Sequence, residues 1–148
     1  MRLVAVITVA ASAALSSSAM AQQYETPEDA LAEYVAAYKA RDVERYLAAI
    51  DFNREAMEQL SRGTSKAEQP SEAQVQDKAS ALAGELRAHF AKFGFRAATL
   101  DNCQTVTKFK DTETQVRIVL SCSDSRRSTT FPVRLLRLAQ GWRVVRGA

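Results

Sequence analysis

The feature that most constrains this chain is a change of hydrophobic period part-way along it. Up to about Gly94 the apolar residues recur every three or four positions; beyond Cys103 they alternate. A 3.6-residue period builds helices with one buried stripe, and a period of two builds strands with one buried face. A chain that runs helices first and strands second must pack the two as separate layers, an α+β arrangement with helices against one face of an antiparallel sheet.

The helical half carries its own start signals. Thr26-Pro27-Glu28-Asp29 combines a capping hydroxyl, a proline suited to the first turn and two acids at the positive end of the helix dipole. Leu31, Tyr34, Val35 and Tyr38 follow at helical spacing. Asp42 caps a second helix with Val43, Tyr46, Leu47 and Ile50 on its stripe, and Asn53 starts a short third piece through Met57 and Leu60 that Gly63 stops. Residues 63–70 are polar and irregular, a loop. Ser71 and Gln74 form a capping box, after which Val75, Ala79, Leu82, Leu86, Phe90 and Phe93 trace the longest helix, ending near Gly94.

In the second half Val116, Ile118, Leu120 and Cys122 alternate with polar or outward positions, and Thr105 to Phe109 is a β-prone run. Folding a hairpin about Thr112 and Glu113 pairs Phe109 with Val116, Thr107 with Ile118 and Thr105 with Leu120. The same register sets Cys103 opposite Cys122, close enough to bridge with modest adjustment. Phe131–Leu138 and Trp142–Arg146 continue the meander to four strands.

The cysteine pairing agrees with the leader. Residues 1–21 have Arg2 at the start, an uncharged stretch from Leu3 to Leu15, and Ala19-Met20-Ala21 as a small-x-small cleavage site. This predicts a secretory signal peptide cut after Ala21, a mature domain over 22–148, and a periplasmic or extracellular location where two cysteines oxidise to a disulfide. With one histidine and two cysteines in 148 residues, no metal-ligand set is present. Nor is there a phosphate loop, a dinucleotide glycine pattern, a Ser-His-Asp order or a nucleic-acid motif, so no cofactor and no nucleic-acid partner are expected.

Charge divides with the period. Residues 22–92 hold nine basic and thirteen acidic side chains, a net −4; residues 93–148 hold ten and four, a net +6. Arg117, Arg126, Arg127, Arg134, Arg137, Arg143 and Arg146 all fall on the predicted sheet or its turns. Two readings stand: a basic face for an anionic envelope component, or a solvated outer surface whose arginine stems cover the sheet.

The segment from Thr26 to Leu47, with its Ala40-Arg41-Asp42 break, resembles the opening of nuclear-transport-factor-two-like domains, most closely the secreted bacterial lumazine-binding-like group of unknown function. The closing Gly141-Trp142-Arg143-Val144-Val145 resembles their last strand. The resemblance implies a cone, a curved four-stranded sheet wrapped on helices, sometimes enclosing a pocket and often pairing into homodimers through the open sheet. Its members include isomerases, dehydratases and cyclases as well as binding and dimerisation modules, so fold does not choose function.

Candidate site residues follow from chemistry. Histidine is the residue type suited to acid–base work near neutral pH, so His89, the one histidine, would form an acid–base pair with Asp101 if the fold brought them together. Tyr34, Tyr38 and Tyr46, with Trp142, would line a pocket for a small apolar ligand or simply pack the core. The sequence thus points to a non-enzymatic binding or scaffold domain of the cell envelope, using a small pocket or the arginine-rich sheet face; the alternative is a small-substrate isomerase, dehydratase or cyclase using His89 with a carboxylate.

Overall fold

The computed structural model describes residues 24–62, 69–96, 102–123 and 127–146. Residues 1–21, where a leader is expected, lie outside the described residues, as do Gly63 and Asp101. Four helices precede four strands: α1 (Pro27–Lys39), α2 (Val43–Ala48), α3 (Phe52–Ser61), α4 (Glu72–Phe93), β1 (Cys103–Thr112), β2 (Gln115–Ser123), β3 (Ser128–Leu138) and β4 (Gly141–Val145). The strands form one antiparallel sheet in the order β1-β2-β3-β4. No described helix is long and apolar enough to cross a membrane.

Side-chain caps set the helix starts. Thr26 accepts from the Asp29 amide at 3.1 Å, Asp42 from Arg45 at 3.1 Å, and Ser71 and Gln74 close both arms of their capping box. α1 ends where Arg41 takes a left-handed φ of 60°, which turns the chain into the Asp42 cap. The third helix begins earlier than the expected Asn53. Its cap is Asp51, whose carboxylate accepts from the Arg54 amide at 3.0 Å. Asp51 is fixed there because its own amide donates to the Val144 carbonyl at 2.8 Å, so the chain leaves a bridge to β4 and enters the helix within one residue.

That bridge closes one edge of the sheet. Val144 donates to the Ala49 carbonyl and Trp142 to the Tyr24 carbonyl, leaving few unpaired groups along β4. Tyr24 passes so close that a Cβ on Gly141 would stand 2.5 Å from its carbonyl oxygen, and Gly141 also has a φ of 95°. Glycine is required at that position on both counts. Pro132 pairs with Val119 where β3 has run past the end of β4, the edge-like position that a residue without an N–H tolerates.

The main core lies between α1, α2 and the inner face of the sheet. Val116, Ile118, Leu120 and Cys122 from β2, Val133 and Leu135 from β3, and Val144 from β4 meet Leu31, Tyr34, Tyr38 and Tyr46. A smaller cluster of Ala56, Val75, Ala79 and Leu82 holds α3 to α4.

β1 departs from the expected register. Cys103 opposes Cys122 and Thr105 opposes Leu120 as the alternation predicts, but extra residues at Val106 and Asp111 shift the remainder. Lys108 then opposes Ile118, Lys110 opposes Val116, and Phe109 opposes Arg117; the hairpin turns about Glu113 and Thr114. A one-residue slip sends every later side chain to the other face. It is tolerated because β1 is exposed almost throughout, so burial does not enforce its register. The result leaves Val106 and Phe109 exposed, with the Arg117 guanidinium 5.5 Å from the centre of the Phe109 ring.

Candidate functional site

The tyrosines meet in the core. Tyr34 and Tyr46 share a hydrogen bond of 2.5 Å between their hydroxyls, and Tyr38 donates to the Arg96 carbonyl at 3.0 Å. Phe90 and Phe95 stack at 4.0 Å and close over them, with Tyr46 meeting Phe90 edge-on at 5.4 Å. Burial pushes the Tyr34 and Tyr46 phenols well above their ordinary range, so both stay neutral. Trp142 is buried in the same core. These aromatic side chains fill the space that the sequence offered as a pocket.

His89 is exposed on α4, its ring 5.0 Å from Phe93 and 5.9 Å from Phe90, and it makes no ion pair with a described residue. Asp101 lies outside the described residues, so no acid–base pair is assembled among those that are described.

Three of the seven arginines of the sheet carry carboxylates among the described residues. Arg134 holds Glu58 through two hydrogen bonds at 2.6 and 2.9 Å, Arg117 holds Asp111 at 2.7 Å, and Arg146 holds the buried Glu55 at 3.0 Å. Hydrogen bonds from Arg134 and Arg54 draw the Glu58 carboxyl below its ordinary range, and Arg117 does the same to Asp111. Those three guanidiniums offer less field to an anionic polymer than unpaired ones would. Arg126 lies outside the described residues.

The apolar cavity is elsewhere. It lies between the outer side of α1 and the base of the β1–β2 hairpin, with a volume of about 350 Å³. Positions 32, 35, 36 and 39 recur at helical spacing and so share one side of α1. Ala32 and Ala36 are small enough to leave room there, Leu31 and Val35 supply aliphatic walls, and Leu120, Thr105 and Cys103 close the sheet side. The Cys103–Cys122 disulfide holds that side together. At one end Glu28 pairs with Lys108. At the other, Lys39 and Cys103 also border a polar recess of about 320 Å³ with Asn102, Gln104, Ser121 and Ser123. The groove is therefore aliphatic along its length and polar, with one cation, at its mouth.

This groove lies on the side of α1 opposite the tyrosines, which pack the core. Its sequence trace is the i, i+4 pair of alanines, Ala32 and Ala36, on the side of the helix away from Tyr34 and Tyr38.

No protein-family model matches the chain, and no curated protein matches it. Among solved structures the chain is similar to a Campylobacter jejuni protein named as an NTF2-like transpeptidase, at 19% identity and a TM-score of 0.43, over 83% of this chain and 100% of that one. Likeness of that order says nothing about chemistry. The order of elements in this chain, helices followed by a four-stranded antiparallel sheet, is an α+β arrangement consistent with the nuclear-transport-factor-two-like fold that its opening and closing motifs imply.

Proposed function

We propose that this protein is a non-enzymatic binding domain whose α1/β1–β2 groove takes a small amphipathic molecule. The aliphatic body would lie against Leu31, Val35 and Leu120, and a negatively charged or hydrogen-bonding head would reach Lys39 and the polar recess. The observation that carries this reading is the groove itself: an aliphatic channel of about 350 Å³ that ends in a lysine with no carboxylate partner among the described residues. Pockets of this size, mostly apolar with a few placed polar groups, are the usual form of small-molecule sites. The Cys103–Cys122 bridge is compatible with a secreted protein and supports reading residues 1–21 as a leader. The enzyme reading has no comparable support, since His89 lies on an exposed surface of α4.

The test is a fluorescence titration with N-phenyl-1-naphthylamine, followed by displacement with decanoate. Ala36 is exposed and borders the groove, so Ala36→Trp fills it from the solvent side. The variant should lose dye binding by at least about tenfold while melting like the parent. Equal dye binding by Ala36→Trp, or no saturable binding by the parent, overturns the proposal.

A further inference from the structure

Arg143 stands apart from the other arginines. Its residue is only 7% exposed, yet it has no carboxylate partner among the described residues. The guanidinium lies 5.1 Å from the centre of the Tyr24 ring and donates from Nη1 to the Trp142 carbonyl at 2.8 Å. Its other N–H groups have no hydrogen-bond partner among the described residues, and they are not sealed from solvent. Arg143 lines a second cavity of about 350 Å³, formed where the α2–α3 junction meets the β3–β4 turn. Ile50, Phe52 and Leu138 give it apolar walls, and Gln140 and Asn53 add amides. Asp51, itself 8% exposed, borders it too. Asp51 commits Oδ1 to the Arg54 amide, makes no ion pair with Arg143, and has an Oδ2 that accepts nothing from the described residues.

A guanidinium on so largely buried a side chain is pre-positioned for an anion, and a planar carboxylate is the anion its fork fits best. The first turn of α3, a helix of ten residues, presents its positive end at the same cavity. Asp51 sets the limit on charge: a doubly charged phosphate would be repelled about twice as strongly as a single carboxylate, which the Arg143 guanidinium offsets. Its second oxygen is free to receive a donor carried next to that carboxylate. We propose that this cavity binds a small monocarboxylic acid with a hydroxyl or ammonium beside the carboxylate and a short branched apolar body. Arg143 grips the carboxylate, Asp51 takes the donor, and Ile50, Phe52 and Leu138 take the body. The site is separate from the α1 groove and does not depend on it.

The experiment is an NMR titration of the ¹⁵N-labelled protein with L-leucine, 2-hydroxy-4-methylpentanoate, 4-methylpentanoate, 4-methylpentanol and inorganic phosphate. The first two should shift the Arg143 Nε–H and the Phe52 and Asn53 amides saturably. The plain acid should bind more weakly, and the alcohol and phosphate should not bind there. Arg143→Lys keeps the charge but loses the fork, and should weaken the donor-bearing acids at least about tenfold. Asp51→Asn keeps the helix cap and should erase the preference for those acids over 4-methylpentanoate. Should Arg143→Lys fail to fold, the parent's own Nε–H response still decides. Absence of saturable shifts with any acid, shifts confined to the α1 groove, or phosphate binding in preference to the acids overturns the proposal.

Discussion

Removing the Cys103–Cys122 bridge has a calculable consequence. The cysteines are 19 residues apart in sequence, and they tie the first residue of β1 to the end of β2. In the chain-entropy account a loop of that size, once closed, takes about 3 kcal/mol from the unfolded state. Little else compensates, because β1 is exposed along nearly its whole length and is held mainly by its ladder to β2. Such hydrogen bonds contribute only about 1 kcal/mol each, net of water. The double variant Cys103→Ser, Cys122→Ser should therefore lose about 3 kcal/mol and roughly 10 °C of melting temperature. Urea titration reads the loss directly as a lower midpoint, and hydrogen exchange should show β1 amides losing protection ahead of β2. A midpoint unchanged from the oxidised parent would refute the reasoning, since it would mean that the ends of this hairpin are restrained by something other than the bridge.

Three further outcomes are expected. Tyr46→Phe leaves the buried Tyr34 hydroxyl without its partner and should cost about 1–3 kcal/mol, whereas Tyr34→Phe combined with Tyr46→Phe should cost less than the sum of the single changes; a double-mutant cycle by urea denaturation measures the difference. Gly141→Ala meets both a left-handed φ and the Tyr24 carbonyl, and should destabilise by more than about 2 kcal/mol in the same assay, more than an ordinary surface substitution. The Glu58 carboxyl is held below its ordinary value of 4.5 in the folded state, first by its hydrogen bond from Arg134. Its contribution to stability is therefore complete above that pH and lost as pH falls below it, so Glu58→Gln should flatten the acid limb of the stability profile there while lowering stability at neutral pH.

Much of the fold was legible because its signals are local. Thr26, Asp42 and the Ser71–Gln74 box cap the helices that the periodicity outlines, since a cap needs only its own first turn. The cysteine pairing was legible because alternation and the cysteines chose the same register, and the chain keeps it from Cys103 to Thr105. The bulge at Val106 was not legible, because burial does not enforce register in so exposed a strand. The third helix was expected to start at Asn53 because the bridge from the Asp51 amide to Val144, which fixes its start, spans more than ninety positions. The same distance hid the carboxylates that quiet the sheet: Glu58 reaches Arg134 across 76 residues and Glu55 reaches Arg146 across 91. The groove is likewise a long-range product of α1 and the hairpin, visible beforehand only as two small residues on an outer helix side.

The groove beside α1, and not the tyrosine core, is the proposed ligand site. The most direct measurement is a methyl and amide chemical-shift map recorded during a decanoate titration. Saturable shifts are expected at Leu31, Val35, Thr105 and Leu120, the Lys39 amide moving with them, with little change at Tyr34 and Tyr46. Shifts centred on the tyrosines and Trp142, or none that saturate, would contradict that placement.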